Sequence, residues 1–484
     1  MKWVATGDQV RRLESQWFDD YGLSPSSLME VAGRSAADWI VTHRRAEITK
    51  GVWVVCGPGN NGGDGYVIAR TLHAQGVAVQ AVGCGEPSSE TAKQAEICRR
   101  SGVPTHTRLP SGPTPGLVVD ALFGIGCRRA LSGQYLQTAE RICAMACDVI
   151  SVDMPSGVCA DTGGTHGGAH ITASATLTFE HAKRGLYLVA GPKAAGTLVV
   201  LPLHLGQPSR DDGLAQCWER DDVQASWPTR ARDAHKGHSG HLLIIAGSRA
   251  MAGAAALTVK GAFSVGVGRV TLLTPQDAHI RLSNLPPEAM LAPGWREDLE
   301  VRPALGDYSA VVAGPGMGTP PPRMAQWLRE IWQDSTRPVI FDADALPFAM
   351  EGKRSDRVLT PHPGEAGRLL HRPASSVNAA RVDSVQQLSR RGVVLLKGQH
   401  TLIGDPTGRL AFNTTGSPTL ATAGSGDVLS GIVAGLAARG LPAWEASCAG
   451  AWLHGRAGEA MEAVRPDGWF ASDIAAQISA CIPT

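Results

Sequence analysis

Short apolar runs alternate with longer amphipathic stretches along most of this chain. The runs at residues 52–56, 78–82, 117–120, 149–153, 176–179 and 197–201 have strand length, and the stretches 10–17, 28–43, 66–75, 90–101 and 135–146 have helical periodicity. Strand–helix–strand alternation predicts a parallel sheet covered by helices on both faces. Residues 206–232 are rich in Gln, Pro, Ser, Arg and Asp-Asp-Gly, the composition of a connection. A second alternating series follows at 242–246, 270–274, 310–313, 339–342, 358–360 and 393–396. The pattern therefore predicts two α/β domains with a boundary near residues 206–230 and no short-period repeat.

Composition narrows the class. A chain of 484 residues exceeds one ordinary core, and 43% hydrophobic with 18% charged residues describes a well-buried globular protein. A net charge of +1 gives no bulk attraction to nucleic acid or an anionic membrane, so an anionic ligand must be held by particular loops. The ten cysteines form no Cys-x-x-Cys pair, which fits reduced thiols. The chain start turns polar too soon for a signal-peptide core, and no apolar run reaches the roughly 20 residues of a membrane helix. A soluble cytoplasmic protein is expected.

Two glycine-rich loops carry the candidate chemistry. The first, GPGNNGGDG at 57–65, follows an apolar run and formally matches a dinucleotide fingerprint. The next strand, however, ends in Val82-Gly83-Cys84-Gly85, without a ribose-binding carboxylate until Glu86. Asp64 is also an anion inside the loop, which makes sense if it grips a hydroxyl or sits beside a cation; the alternative is a tight turn without a ligand. Asp120 and Asp153 end two further strands, so Asp64, Asp120 and Asp153 are expected to converge at the carboxyl edge of the sheet. Three crowded acids need compensation, and a bound cation is the simplest remedy. Each alone could instead cap a helix.

The second loop, Ala423-Gly424-Ser425-Gly426-Asp427, opens a helical stretch at 428–439. Backbone N–H groups at a helix start form an anion hole, and Asp427 at its edge could take a proton from a hydroxyl while a phosphoryl group meets the amides. The alternative is an N-cap aspartate. Gly314–Gly318, Asp342–Leu346, Thr360–Glu365 and Lys397–Thr401 each follow an apolar run and should gather at the same sheet edge. Asp342 or Asp344 could equally cap a helix, and Lys397 could orient a phosphate or snorkel.

GPGNNGGDG, DALFGIG at 120–126 and VDMPSG at 152–157 resemble the epimerase domain of the NAD(P)H-hydrate repair enzymes. That resemblance implies a Rossmann-like three-layer sandwich over residues 1–215, inverting the hydroxyl-bearing C6 of the hydrates NADHX and NADPHX. It implies that Asn60, Asn61, Gly62, Gly63 and Asp64 hold substrate with Gly124, Ile125, Gly126, Cys127, Arg128, Arg129 and Ala130. Asn61, Asp120 and Ser156 would bind K⁺, and Asp153 would contact the hydrate and transfer a proton. The later motifs, with His235–His241 and Ile245–Ser248, resemble the ADP- or ATP-dependent NAD(P)H-hydrate dehydratase of the ribokinase-like fold, over residues 225–484. Here Ala254, Gly316, His362 and Asp427 would contact the hydrate. Lys397, Gly398, Gln399, His400, Thr401 and Gly426 would hold the adenine nucleotide, with Mg²⁺ and ADP as cofactors and Asp427 as catalytic base. Val31, Ile125, Pro347, Ser417 and Ala423 depart from the usual family residues. A homo-oligomer binding hydrate and adenine nucleotide is expected, with neither nucleic acid nor membrane as partner. The competing reading is a ribokinase-like vitamin or sugar kinase with a fused nucleotide-binding domain.

Overall fold

The computed structural model describes residues 2–204, 213–229, 239–295 and 302–483. Residues 206–212 and 230–232 of the expected connection, and residues 235–238 of the histidine-rich motif, lie outside them. The chain forms two compact units, one of Trp3–Leu214 and one of Met1–Lys2 with Ala215–Thr484.

The first unit is built on a seven-stranded sheet in the order Thr105–His106, Val79–Gly83, Val52–Cys56, Leu117–Ala121, Asp148–Val152, Ala175–Phe179, Thr197–Leu201. Every adjacent pair is parallel. Its central strands are buried on both faces, which explains why VWVVC reads as an unbroken apolar run. Helices Pro25–His43 and Asn60–Ala74 pack on one face, where Ala36, Ile40, Ile68 and Leu72 meet Val52, Val54, Val119 and Ile150. Helix Gly133–Cys143 contributes Ala139 and Ile142 to the other face. Strand order reverses between Val52–Cys56 and Leu117–Ala121, so the crevice at their carboxyl ends is where this architecture places a ligand.

The loop reading of residues 57–65 needs correction. Helix begins at Asn60, not near Tyr66, and takes in most of the glycines. Their reason is close packing. A Cβ on Gly65 would come within 2.7 Å of Ala121 Cβ and 2.9 Å of Cys56 Sγ, and one on Gly62 would collide with the Gly57 carbonyl. A further helix, Gly7–Tyr21, starts in a capping box: Thr6 Oγ1 accepts from Gln9 N at 3.1 Å, and Thr6 N donates to Gln9 Oε1 at 2.8 Å. Leu13 and Trp17 form its buried stripe, and Gly22 ends it at φ +67°.

The second unit holds ten strands among the described residues, in the order Met290–Leu291, Arg269–Leu273, His241–Ile245, Ala310–Ala313, Val339–Phe341, Arg357–Leu359, Val393–Leu396, Leu402–Gly404, Leu410–Phe412, Ala215–Cys217. Pairing is parallel as far as Val393–Leu396, and an antiparallel hairpin follows. That hairpin was not expected from the alternation, because its three-residue strands are too short to show a period. Helices Ala252–Ser264 and Ser425–Ala438 cross closely at small residues; a Cβ on Gly435 would meet Val265 Cγ2 at 2.7 Å.

Candidate active sites

In the first unit, Asn60, Asn61, Asp64, Gly124, Ile125, Gly126 and Asp153 line one pocket of about 310 Å³. Asp153 sits in the left-handed region at φ 66°, an unusual conformation for a residue with a Cβ. Its carboxylate is fixed on both sides: Lys183 Nζ lies 2.6 Å from Oδ1, and Ile125 N donates to Oδ2 at 3.0 Å. The Lys183 side chain is 1% exposed and also donates to Thr178 Oγ1 at 2.9 Å and the Phe179 carbonyl at 3.2 Å. Part of the compensation expected from a cation thus comes from a lysine that the sequence reading missed. The signal was present, since Lys183 lies just beyond the carboxyl end of strand Ala175–Phe179.

Burial and then the charges of Asp153 and Glu14 drive the Asp64 carboxyl well above the usual range. Glu14, from helix Gly7–Tyr21, shares the pocket and was also missed; burial and Asp153 push it up to about 7. Among the described residues neither Asp64 nor Glu14 makes a hydrogen bond or ion pair, and both amide atoms of Asn61 are buried without a partner. Polar groups left this way mark a site built for a ligand.

Asp120 does not join the pocket wall. It is fully buried, and its oxygens accept from Ser156 Oγ (2.6 Å), Ser151 Oγ (2.8 Å), Ser156 N (3.0 Å) and Leu122 N (3.2 Å). Burial still raises its carboxyl against those four donors. Asp120 and Ser156 bring carboxylate and hydroxyl oxygens together, and the Asn61 carbonyl oxygen is without a partner; oxygens of these kinds are the hard donors that an alkali cation takes. Gly62 and Gly63 are packed inside their helix, Gly63 against Met29. Cys127 turns into the core beside Leu122 and Leu131. Arg128 is exposed and ion-paired with Asp8, Arg129 is exposed, and Ala130 lies against Gly168.

In the second unit the helix Ser425–Ala438 is preceded by Gly424 at φ 89°, a turn that favours glycine. Asp427 lies in the first helical turn but provides no cap, and among the described residues it makes no hydrogen bond or ion pair. Burial, then Asp342, pushes its carboxyl up to about 7, with Lys397 pulling the other way and Asp344 and Glu365 adding to the rise. Lys397 does not snorkel. Its Nζ sits 2.9 Å from Asp342 Oδ1 and 3.8 Å from Glu365 Oε2. Burial opposes its charge, yet the two carboxylates outweigh that and hold the ammonium above its usual value. Ser430 donates to Asp342 Oδ2 at 2.5 Å, so Asp342 is an acceptor in this network and caps no helix. Asp344 accepts from Gly318 N at 2.7 Å.

Gly426 lies beneath Lys397, whose Nζ would be 3.3 Å from an added Cβ, and Gly316 meets Ala254 at 2.7 Å in the same sense. Lys397 with Gly426, and Ala254 with Gly316, are thus brought together. His362 caps helix Pro363–Leu370, its Nδ1 accepting from Gly364 N at 3.0 Å, while Nε2 lies 3.4 Å from Glu365. Gly398 (φ +140°) and His400 (φ 50°) bend the segment after Lys397; Thr401 donates to the Gly398 carbonyl, and Gln399 is exposed. Two supports were missed. Arg381 is buried and donates to the carbonyls of Leu396 (3.0 Å) and Lys397 (3.4 Å). His454, held neutral because burial lowers it to about 4, sits 3.1 Å from both the hydroxyl and the carbonyl of Ser425. No motif announces either, because each acts on a backbone far away in sequence.

The NAD(P)H-hydrate dehydratase family model matches residues 242–480, and that of the YjeF-related N-terminus matches residues 25–185. Bifunctional NAD(P)H-hydrate repair enzymes Nnr are similar over nearly the whole chain. The Coxiella burnetii protein is 35% identical over 96% of each chain. The Escherichia coli K12 protein is 34% identical over 95% of this chain and 90% of its own. A crystal structure of a ribokinase-like superfamily protein from Enterococcus faecalis V583 is 25% identical and superposes with a TM-score of 0.50, covering 55% of this chain and 95% of its own. On the extent of these matches, the chain belongs to the family of bifunctional NAD(P)H-hydrate repair enzymes.

Proposed function

We propose that the unit Trp3–Leu214 interconverts the C6 epimers of hydrated NADH and NADPH, and that the unit ending at Thr484 dehydrates one epimer at the expense of ADP, giving AMP and phosphate. The observation that carries the dehydratase reading is Asp427: a carboxylate with no partner of its own, beside the first turn of a glycine-led helix and among the groups around Lys397. Hydroxide is a poor leaving group. Asp427 takes the C6 hydroxyl proton, the oxygen receives the terminal phosphoryl group at the helix N-terminus, and phosphate departs as the ring nitrogen's lone pair enters. Loss of a C5 proton then restores the dihydropyridine. A base titrating near 7 suits that task at neutral pH.

Asp342, Asp344 and Glu365 surround Asp427 and outnumber Lys397, but among the described residues no group of three acidic side chains is arranged to hold a metal ion. Mg²⁺ would accompany the nucleotide phosphates and would neutralise transferring charge there. In the first unit, Asn61, Asp120 and Ser156 would hold K⁺, which would supply a fixed positive charge to the site. Asp153 would move the hydroxyl proton. The ten cysteines form no disulfide, which suits a reducing cytoplasm.

The test is incubation of full-length protein with mixed hydrate epimers, ADP and Mg²⁺. Complete conversion to NAD(P)H with one phosphate released per turnover is expected. A stable phosphorylated alcohol would favour a small-molecule kinase instead.

A further inference from the structure

Asp153 is poorly placed to act alone. Both its oxygens are engaged, one by the buried Lys183 ammonium and one by the Ile125 amide, so it can accept a proton only against two donors. Inversion at C6 nevertheless needs one group to remove a proton and another to deliver one. The pocket supplies a second carboxyl from an unexpected element. Glu14 stands on helix Gly7–Tyr21, ahead of the segment matched by the N-terminal family model, which starts at residue 25.

That helix is pinned to the pocket. Gly7 N donates to Asp161 Oδ1 at 2.6 Å, Arg11 donates to the Ile125 carbonyl at 3.2 Å, and Asp8 pairs with Arg128. The strand before it, Lys2–Ala5, runs parallel to Ala182–Lys183, with Ala5 opposite Lys183. The chain that carries Glu14 is thus tied to the chain that carries Lys183 and to the loop that clamps Asp153.

We propose that Glu14 is a second proton-transfer group of the first pocket, working with Asp153 on the hydrated nicotinamide; this rests on the reading of that pocket as an epimerase site. C6 bears the hydroxyl and is bonded to N1, so it is a carbinolamine carbon. Asp153 removes the hydroxyl proton, C6=O forms, the C6–N1 bond breaks, and its electron pair goes to N1, which takes a proton from Glu14. Rotation about C5–C6 presents the other face of the carbonyl. N1 returns its proton to Glu14 as it re-adds to C6, and Asp153 gives its proton to the new hydroxyl. Atoms and charge balance over the cycle without any co-reactant. Glu14 faces Asp153, Lys183, Asp64 and Arg11, with Glu180 and His181 also on the pocket wall. Among these surroundings it exchanges protons near neutrality, and burial raises the neighbouring Asp64 carboxyl as well.

The experiment compares full-length wild type, Glu14→Gln and Glu14→Asp, following epimer interconversion without ADP by NMR across neutral pH. Dehydration of the reactive epimer is measured in parallel. For Glu14→Gln we expect epimerisation kcat to fall about 100-fold, KM to change little, and the limb of the pH profile near 7 to vanish. Glu14→Asp should recover part of the rate and the limb, and dehydration should match wild type in both variants. Epimerisation by Glu14→Gln at the wild-type rate and pH profile would overturn the role of Glu14 while leaving the epimerase reading intact. A rise in KM alone, with the profile preserved, would also overturn it. Failure of the wild type itself to interconvert epimers would instead remove the epimerase reading beneath it.

Discussion

In the first unit the carboxylate assigned to proton transfer, Asp153, is bound to a buried lysine, while two neighbouring acids, Asp64 and Glu14, have no such partner. In the second unit the assignment is reversed. Lys397 is taken by Asp342, and Asp427 is the acid left without a cation. The difference follows from the chemistry each pocket would perform. Moving protons on a neutral carbinolamine needs more than one acid–base group side by side, and the ion pair with Lys183 sets Asp153 apart from its neighbours. Accepting a polyanion beside a general base is a different problem. There the base must not be quenched by an ion pair, and the lysine serves better as part of a charge-balanced wall near the amides of a helix N-terminus.

The sharpest way to break this comparison is reciprocal substitution. Asp427→Ala should lower dehydration by about 10²–10⁴-fold, leaving epimerisation untouched, and Asp153→Ala should abolish epimerisation alone. Phosphate release and epimer ratio, measured on the same samples, check both; a variant that loses both activities would mean that the sites are not independent. Next is Lys183→Met. Removing one member of a buried pair leaves the other charge uncompensated, which costs about 3–5 kcal/mol. Thermal unfolding of the first unit should therefore shift down, and adding Asp153→Asn should restore much of the loss. If the single and double variants melt alike, Lys183 is not the partner that holds Asp153. The smallest effect is a pH dependence. Asp427 works as a base only when ionised, and its carboxyl is raised to about 7, so dehydration kcat/KM should fall about tenfold per pH unit below 7 and level off above it. A flat profile between acid and neutral pH would argue against the raised carboxyl. The same shift opposes folding. Asp427 is most compatible with the folded state below the ordinary aspartate range, and that contribution is lost as pH rises through about 7.

Several elements were legible from pattern alone. Strands Val52–Cys56, Ala310–Ala313 and Val393–Leu396 have the bounds expected from their apolar runs, because strands covered on both faces must be continuously apolar. The start of helix Asn60–Ala74 was misjudged because glycines signal turns locally, whereas here they admit the close approach of a helix to the sheet. Asp64, Asp153 and Asp427 could be singled out since each lies near the carboxyl end of a strand or the amino end of a helix, where ligands meet backbone amides. Asp120 obeyed the same rule and yet went inward, because Ser151 and Ser156 supply the donors that let a carboxylate be buried.

By itself, then, the order of residues fixed two alternating α/β units, the loops that bear acids and glycines, and the family they resemble; these depend on neighbours in the chain, where periodicity and turn chemistry operate. Which acids carry charge was decided only by folding. Lys183 reaches Asp153, Glu14 enters the same pocket from the first helix, and Lys397 chooses Asp342 over Asp427. Protonation depends on burial and on charges a few ångströms away, and those distances exist only once segments remote in sequence have been packed together.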